Sequence, residues 1–257
     1  MQIDKINNHI VAWLDAYCEK AGLFGFIVGI SGGIDSAVTS TLCAQTGKKV
    51  ILLNMPIRQT KAEYDRAQEH IEDLSKRFKH VSGLELNLTV SFESLESLFP
   101  ESTTENHLAM ANSRARLRML TLYAVGQANN LLVAGTGNKI EDFGIGFYTK
   151  YGDGGVDLSP IADLTKTQVF KLGKHIGVID SIMKAKPTDG LWEDGRNDED
   201  QIGASYPELE WAMDYSGDES GLSERQKEVL TLYRKLNRAN KHKMEPIPVC
   251  EIPESYL

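Results

Sequence analysis

The chain has 257 residues, with 28 Lys and Arg against 36 Asp and Glu and a net charge of −8. That length suits one large α/β domain, and an acidic chain with no dense basic block argues against a nucleic-acid partner, whose phosphates are held mainly by basic surfaces. Cys18, Cys43 and Cys250 stand far apart without metal-ligand spacing, and neither a signal peptide nor a bilayer-length apolar run is present, so a cytoplasmic protein with reduced thiols and no membrane partner is expected.

Residues 3–20 place Ile3, Ile6, Ile10, Trp13, Leu14 and Tyr17 at helical spacing, and Gly22 suits the stop. The run FGFIVGI at 24–30 has the length and β-branched content of a buried parallel strand, and 37–45 resumes as a helix. Between them lies SGGIDS. Gly32 and Gly33 let the backbone take positive φ and bring its N–H groups to an anion, and the helix that follows adds its positive end. Ser31 and Ser36 add hydroxyl donors. A carboxylate such as Asp35 beside phosphates is repelled unless a cation lies between them, and oxygen-preferring Mg²⁺ is the expected one. The junction is neither a P-loop, since it lacks G-x-x-x-x-G-K-[ST], nor a G-x-G-x-x-G turn. The plain alternative is a tight glycine turn with Asp35 and Ser36 as ordinary helix-start residues.

The segment KVILLNM at 49–55 reads as a second buried strand that ends at Pro56, 61–79 as a surface helix, and 84–90 as a short alternating strand. Residues 101–127 are expected to be mostly helix, with Arg114, Arg116 and Arg118 ahead of an apolar stripe, and 131–134 to be another buried strand ending in Gly135-Thr136-Gly137-Asn138. Such alternation implies a parallel sheet covered by helices on both faces, with ligands at the carboxyl ends of the strands. Asp35, Asn54, Arg58 and Thr136 all follow those ends. The stretch EDFGIGFYTKYGDGGVDLSP at 141–160 is too rich in glycine for a regular element and reads as a binding loop. A helix follows at 165–176. Residues 185–221 begin as a loop, of which 185–203 is expected to order only when substrates bind, then contain a short helix at 207–215 and lead into a last helix at 223–239.

SGGxDS after a strand resembles the pyrophosphate loop of the ATP pyrophosphatase superfamily, whose members cleave ATP between the α and β phosphates. NSRARLRM, GTGNKIED, FYTKYGDGGVDLSP, KPTDGL and the pair His242-Lys243 follow it in order, and together they resemble ammonia-dependent NAD synthetases over nearly the whole chain. The resemblance implies a doubly wound parallel sheet flanked by helices, of the Rossmann-like, adenine nucleotide alpha hydrolase-like type. It implies a single synthetase domain over 1–257 without a glutaminase domain, and a homodimer with the helix at 111–127 as the interface. The implied reaction is that of a ligase of NAD biosynthesis. ATP adenylates the nicotinate carboxylate of deamido-NAD with loss of pyrophosphate, and ammonia then displaces AMP.

Position by position, the resemblance assigns Gly29, Ile30, Ser31, Gly32, Gly33, Ile34, Asp35 and Ser36 to the ATP phosphates, with Thr136, Lys166 and Thr188 as further ATP contacts. It assigns Asp35 and Glu141 to Mg²⁺, and Arg116, Lys150, Asp157, His242 and Lys243 to deamido-NAD. Asp35, Lys166 and Asp157 are the candidate catalytic residues. Outside the motif, Glu141 would read as a solvated loop acid, Lys166 as an exposed first-turn residue, and two of the three arginines at 114–118 as a solvated helix face. Phe147, Tyr148 and Tyr151 either stack on substrate rings or pack in the core. The chain departs from the family at Asn54, where many members carry arginine, and Arg58 is the candidate to supply that charge. GTGNKIEDFGIGF is also one residue longer than usual, so Glu141 is placed by its flanking residues. The alternatives are another ATP pyrophosphatase-type ligase and an ATP-binding regulator without turnover. YTKYGDGG with the His242-Lys243 pair speaks against the first, and Asp35, Glu141 and Lys166 together speak against the second.

Overall fold

The amphipathic N-terminal segment forms α1 (Ile3–Ala21), closed by Gly22 in the left-handed conformation, and delivers the chain into β1 (Gly25–Gly29). The structure is a computed structural model that describes residues 1–188 and 197–257. From β1 the chain runs through α2 (Ile34–Gln45), β2 (Lys49–Asn54), α3 (Lys61–Arg77) and β3 (Val81–Glu85). It continues through α4 (Thr89–Glu96), α5 (Glu101–Thr104), α6 (His107–Ala128) and β4 (Leu132–Val133). The strands form one parallel sheet in the order β3-β2-β1-β4, so the expected doubly wound α/β architecture is present.

Period-two alternation along the strands builds both layers. Phe26, Val28, Val50 and Leu52 face a core shared with Leu14, Leu42 and Leu74 of α1, α2 and α3. Ile27, Ile51, Leu53 and Val133 face the other side, against Phe92 of α4 and Met110 of α6. Because β1, β2 and β4 are parallel and buried on both faces, they read in sequence as continuous apolar runs, whereas edge strand β3 buries only Val81. After β4 the chain forms a π-helical segment (Lys139–Ile145), α7 (Lys166–His175), α8 (Asp180–Met183), α9 (Asp198–Ile202), α10 (Tyr206–Asp214) and α11 (Glu224–Met244). A third apolar cluster joins the π-helical segment to α10 and α11 through Ile140, Ile145, Leu209, Val229 and Leu230.

Three expectations need correction. The strand expected at 84–90 ends at Glu85, because pairing of β3 with β2 is fixed from Val50↔Val81 to Asn54↔Glu85, and Thr89 then opens α4 with Phe92 buried and Val90 exposed. The glycine-rich loop expected from 141 starts inside the π-helical segment, whose i→i+5 turn accommodates one residue more than an α-turn does. The last helix runs on to Met244, which places His242 and Lys243 on α11. Of the segment expected to order with substrate, residues 189–196 lie outside the described residues, and with them Asp189, Gly190 and Leu191 of KPTDGL. Among the described residues no helix is long and apolar enough to cross a membrane.

His70 on α3 is fully buried against α2, with its Nε2 2.8 Å from Ser40 Oγ and its Nδ1 without a partner among the described residues. Burial lowers its pKa to about 4. Since the folded value lies below the ordinary 6.5, this ring contributes stability in full above about pH 6.5, which is lost as pH falls toward 4. Urea unfolding of wild type and His70→Gln at pH 7.5 and 4.5 checks this. Wild type should lose about 2 kcal/mol more than the variant between the two pH values, and equal losses would refute it.

Candidate active site

The turn after β1 is built around a close approach. Gly32 has φ 80°, and a Cβ there would lie 2.5 Å from Glu63 O, so only glycine fits. Ser31 and Ser36 brace the turn, their hydroxyls 3.1 Å apart, with Gly33 N donating to Ser31 Oγ at 3.2 Å and Ser36 Oγ donating to Gly33 O at 3.0 Å. Among the described residues no side chain caps α2 at Gly33. The N–H groups of its first turn are therefore left to an incoming anion, which the positive end of the helix also favours.

Asp35 projects from that first turn onto Lys166, whose Nζ donates to Asp35 Oδ2 at 2.6 Å and to Glu141 Oε1 at 2.8 Å. The Lys166 side chain is 4% exposed and the two carboxylates about 15%, so this is an interior ion cluster. Burial disfavours the ammonium, but the two carboxylates override it and raise the Lys166 pKa, so the cluster keeps its positive centre. Burial pushes Asp35 up against the opposing pull of Lys166. At Glu141 the desolvation is outweighed by Lys166 and by the Tyr206 hydroxyl, which hold it below the usual carboxylate range.

Neighbouring groups orient the cluster. Asn138 caps the π-helical segment, its Oδ1 accepting from Ile140 N and Glu141 N at 3.1 Å, and its Nδ2 donates to Asp35 Oδ1 at 3.2 Å. Tyr206, at the start of α10, donates its hydroxyl to Glu141 Oε1 at 2.5 Å and lies 3.0 Å from Asp198 Oδ2. Its ring sits 4.8 Å from Lys166 Nζ. Asp142, adjoining the cluster, is pushed up to about 8, first by burial and then by the nearby carboxylates of Glu141, Asp153 and Asp35.

A cavity of about 240 Å³ opens over this cluster. Gly29, Ile30, Ser31, Gly33, Ile34, Asp35, Thr136, Glu141, Lys166 and Thr188 all line it, so most of the expected ATP residues share one wall system. Gly32 and Ser36 sit behind the turn, where Gly32 O accepts from Arg66 Nε at 3.1 Å. Arg58 is not among the lining residues. Its guanidinium lies 2.9 Å from Glu96 and 3.5 Å from Glu93.

Of the expected deamido-NAD residues, Arg116, Lys150, His242 and Lys243 are linked by contacts, and Asp157 stands apart from them beside β4. Arg116 Nη2 donates to Lys150 O at 3.3 Å, and Lys150 Nζ to His242 O at 2.7 Å. Lys243 Nζ donates to Gly146 O and Tyr148 O at 2.9 Å. Asp157 accepts from Val133 N at 2.8 Å and from the Tyr123 hydroxyl at 3.0 Å. Sequence reasoning missed Asn138, Tyr206 and Arg118, all of which bear on the cluster or the cavity.

Replacing Lys166 by Met leaves two buried carboxylates facing each other without their cation. Thermal and urea unfolding should show a loss of about 3 kcal/mol, which is the usual cost of breaking a buried ion pair from one side. Wild-type stability in Lys166→Met would show that the cluster carries no such strain.

The NH(3)-dependent NAD(+) synthetase of Methanosarcina acetivorans is 38% identical over 98% of this chain and 100% of its own. That of Finegoldia magna is 38% identical over 82% of this chain and 84% of its own. The solved structure of NMN synthetase from Francisella tularensis superposes with a TM-score of 0.84 at 30% identity, covering 99% of each chain. The sequence model of the NAD synthase family matches residues 6–246, and the chain belongs to that family.

Proposed function

We propose that the chain amidates the nicotinate carboxylate of deamido-NAD with ammonia, consuming ATP and releasing AMP and pyrophosphate. The observation that carries this reading is the buried Lys166 ammonium held between Asp35 and Glu141 beside the uncapped start of α2. A carboxylate is a poor acyl acceptor, so one of its oxygens first attacks the α-phosphorus of ATP. The bond to the β-phosphate breaks, and pyrophosphate leaves. Ammonia then attacks the carbonyl carbon of the acyl adenylate, loses a proton, and AMP departs. Charge grows on the leaving phosphates, where Lys166 and the N–H groups of the glycine turn stabilise it.

Asp35 and Glu141 supply the hard carboxylate oxygens that Mg²⁺ prefers, and the local excess of carboxylates fits a divalent cation added to Lys166. Bound there, the ion would offset the charge of the phosphates. Thr136 and Thr188 contribute hydroxyls on the ATP side. Arg116, Lys150, His242 and Lys243 suit the pyrophosphate of deamido-NAD, and Asp157 suits its ribose. Asp157 also assists removal of the proton from ammonium, although free ammonia is already a nucleophile and positioning is the larger demand.

The exposed Leu120, within 111–127 on α6, supports a homodimer through that helix, and the free thiols suit the cytoplasm. A second reading rests on the likeness to the Francisella enzyme. If the acid activated there is the precursor of NMN, nicotinate mononucleotide would be this chain's preferred substrate, with the same chemistry at the carboxylate.

The decisive assay supplies pure protein with ATP, Mg²⁺ and deamido-NAD. NAD and pyrophosphate should appear together with ammonium and not with glutamine, and absence of any ammonium-dependent amide would overturn the proposal. A higher kcat/KM for nicotinate mononucleotide in the same assay would favour the second reading. Full turnover by Asp157→Asn at saturating ammonium across pH would remove its role in proton transfer. In sedimentation the protein should run as a dimer at working concentration, and a monomer would exclude the proposed interface.

A further inference from the structure

Arg114 and Arg118 stand four residues apart on α6 and share one helix face, whereas Arg116 lies between them on another. Arg114 spends its guanidinium over the Phe92 ring, 5.6 Å from the centroid. Arg118 is different. Its Nε donates to Met55 O at 3.0 Å, just past the end of β2, while its Nη2 is sealed from solvent and has no hydrogen-bond partner among the described residues. Burial and the charge of Arg114 push its pKa down to about 10, which leaves it protonated at neutral pH.

A buried guanidinium nitrogen without an acceptor is costly, and such groups are normally satisfied in the native state. Arg118 lines the cavity together with Met55, Gln59 and Asp153, yet forms no ion pair there among the described residues. The cavity is also where oxyanions of both reactants must meet if the amidation reading above holds. The cation expected at this strand end from Arg58 is engaged elsewhere, with Glu96 and Glu93. A positive charge at the end of β2 is therefore present, but it comes from α6.

We propose that Arg118 is a substrate-binding residue, the part of its guanidinium that lines the cavity taking an anionic oxygen of the bound reactants beside Met55. The oxygen belongs either to an ATP phosphate or to the carboxylate that is to be activated. The bond from Nε to Met55 O fixes the guanidinium plane before the substrate arrives, so little freedom is lost on binding. The planar fork lets one nitrogen hold the backbone while another holds the ligand, and a lysine ammonium cannot reproduce that arrangement.

The test uses the full chain as Arg118→Met and Arg118→Lys beside wild type. Binding of a non-hydrolysable α,β-methylene ATP and of deamido-NAD is measured separately by calorimetry, and melting temperature is measured with and without each ligand. Arg118→Met should melt close to the wild-type temperature without ligand, because removing an unsatisfied donor offsets the lost Met55 contact. It should bind one of the two ligands about 10- to 100-fold more weakly and lose the corresponding ligand-induced rise in melting temperature. Weaker binding of the ATP analogue assigns the oxygen to phosphate, and weaker binding of deamido-NAD assigns it to the carboxylate. Guanidinium ion added to Arg118→Ala should restore part of the affinity. Wild-type affinity for both ligands in Arg118→Met, or in Arg118→Lys should the Met form fail to fold, overturns the proposal. Failure of wild type to make NAD would end the amidation reading alone, because the ATP-analogue comparison does not depend on turnover.

Discussion

One buried ammonium organises the site. Lys166 is the first residue of α7, where the helix dipole opposes a positive charge, and its side chain is almost wholly removed from water. The carboxylates of Asp35 and Glu141, at 2.6 and 2.8 Å, make that position tolerable, with the Tyr206 ring 4.8 Å away. The contact ties together the start of α2, the π-helical segment and the start of α7. Each of these elements has local reasons to form, such as the Thr165–Gln168 capping box of α7, but none of those reasons sets its position relative to the others. A buried ion cluster is a weak source of net stability, since desolvation consumes most of the Coulomb gain. Its presence at the mouth of the cavity is better explained by what it does to a ligand.

The cluster is electrostatically incomplete. Two carboxylates share one ammonium. A polyanion brought to this cavity alone would meet repulsion from the carboxylates and attraction from Lys166 and the α2 N–H groups. A divalent cation arriving with the polyanion reverses the balance on the carboxylate side. If the proposed reading holds, the arrangement would favour a nucleotide together with its metal over a bare nucleotide, through residues that also fix the backbone.

What could be read from the sequence was what is local. Strand, SGGIDS and helix lie within one short stretch, and glycine at position 32 needs only a positive φ and one close neighbour to explain it. The parallel sheet followed from apolar runs that are buried on both faces. Glu141 and Lys166 were legible only through the family motifs, because on their own a loop acid and a first-turn lysine look solvated, and their burial is created by segments far away in the chain. Asn138 and Tyr206 gave no signal for the same reason. Residues 84–90 alternate like a strand, but register with β2 had already ended the pairing at Glu85, a fact held by the partner strand and not by the segment. Arg118 looked like one of three surface arginines, and only the packing of α6 over the end of β2 distinguishes it.

The π-helical segment shows how an irregular element can be held in place to serve one side chain. A π-turn is poorer in energy than an α-turn, and its last carbonyls lack partners within the segment. Here α11 provides them. Asn237 Nδ2 donates to Gly144 O at 2.7 Å, Asn240 Nδ2 to Ile145 O at 2.8 Å, and Lys243 Nζ to Gly146 O at 2.9 Å. These donors recur at three-residue steps along one side of the helix, so a straight rod clamps the end of the wide turn while Asn138 clamps its beginning. Glu141 is held between the two clamps, facing Lys166. The additional residue in this stretch therefore costs the site no precision, because both ends of the turn are anchored by side chains from outside the segment's own hydrogen-bond ladder. It follows that α11 does more than carry His242 and Lys243, the residues proposed to meet a ligand. It sets where the carboxylate of Glu141 stands.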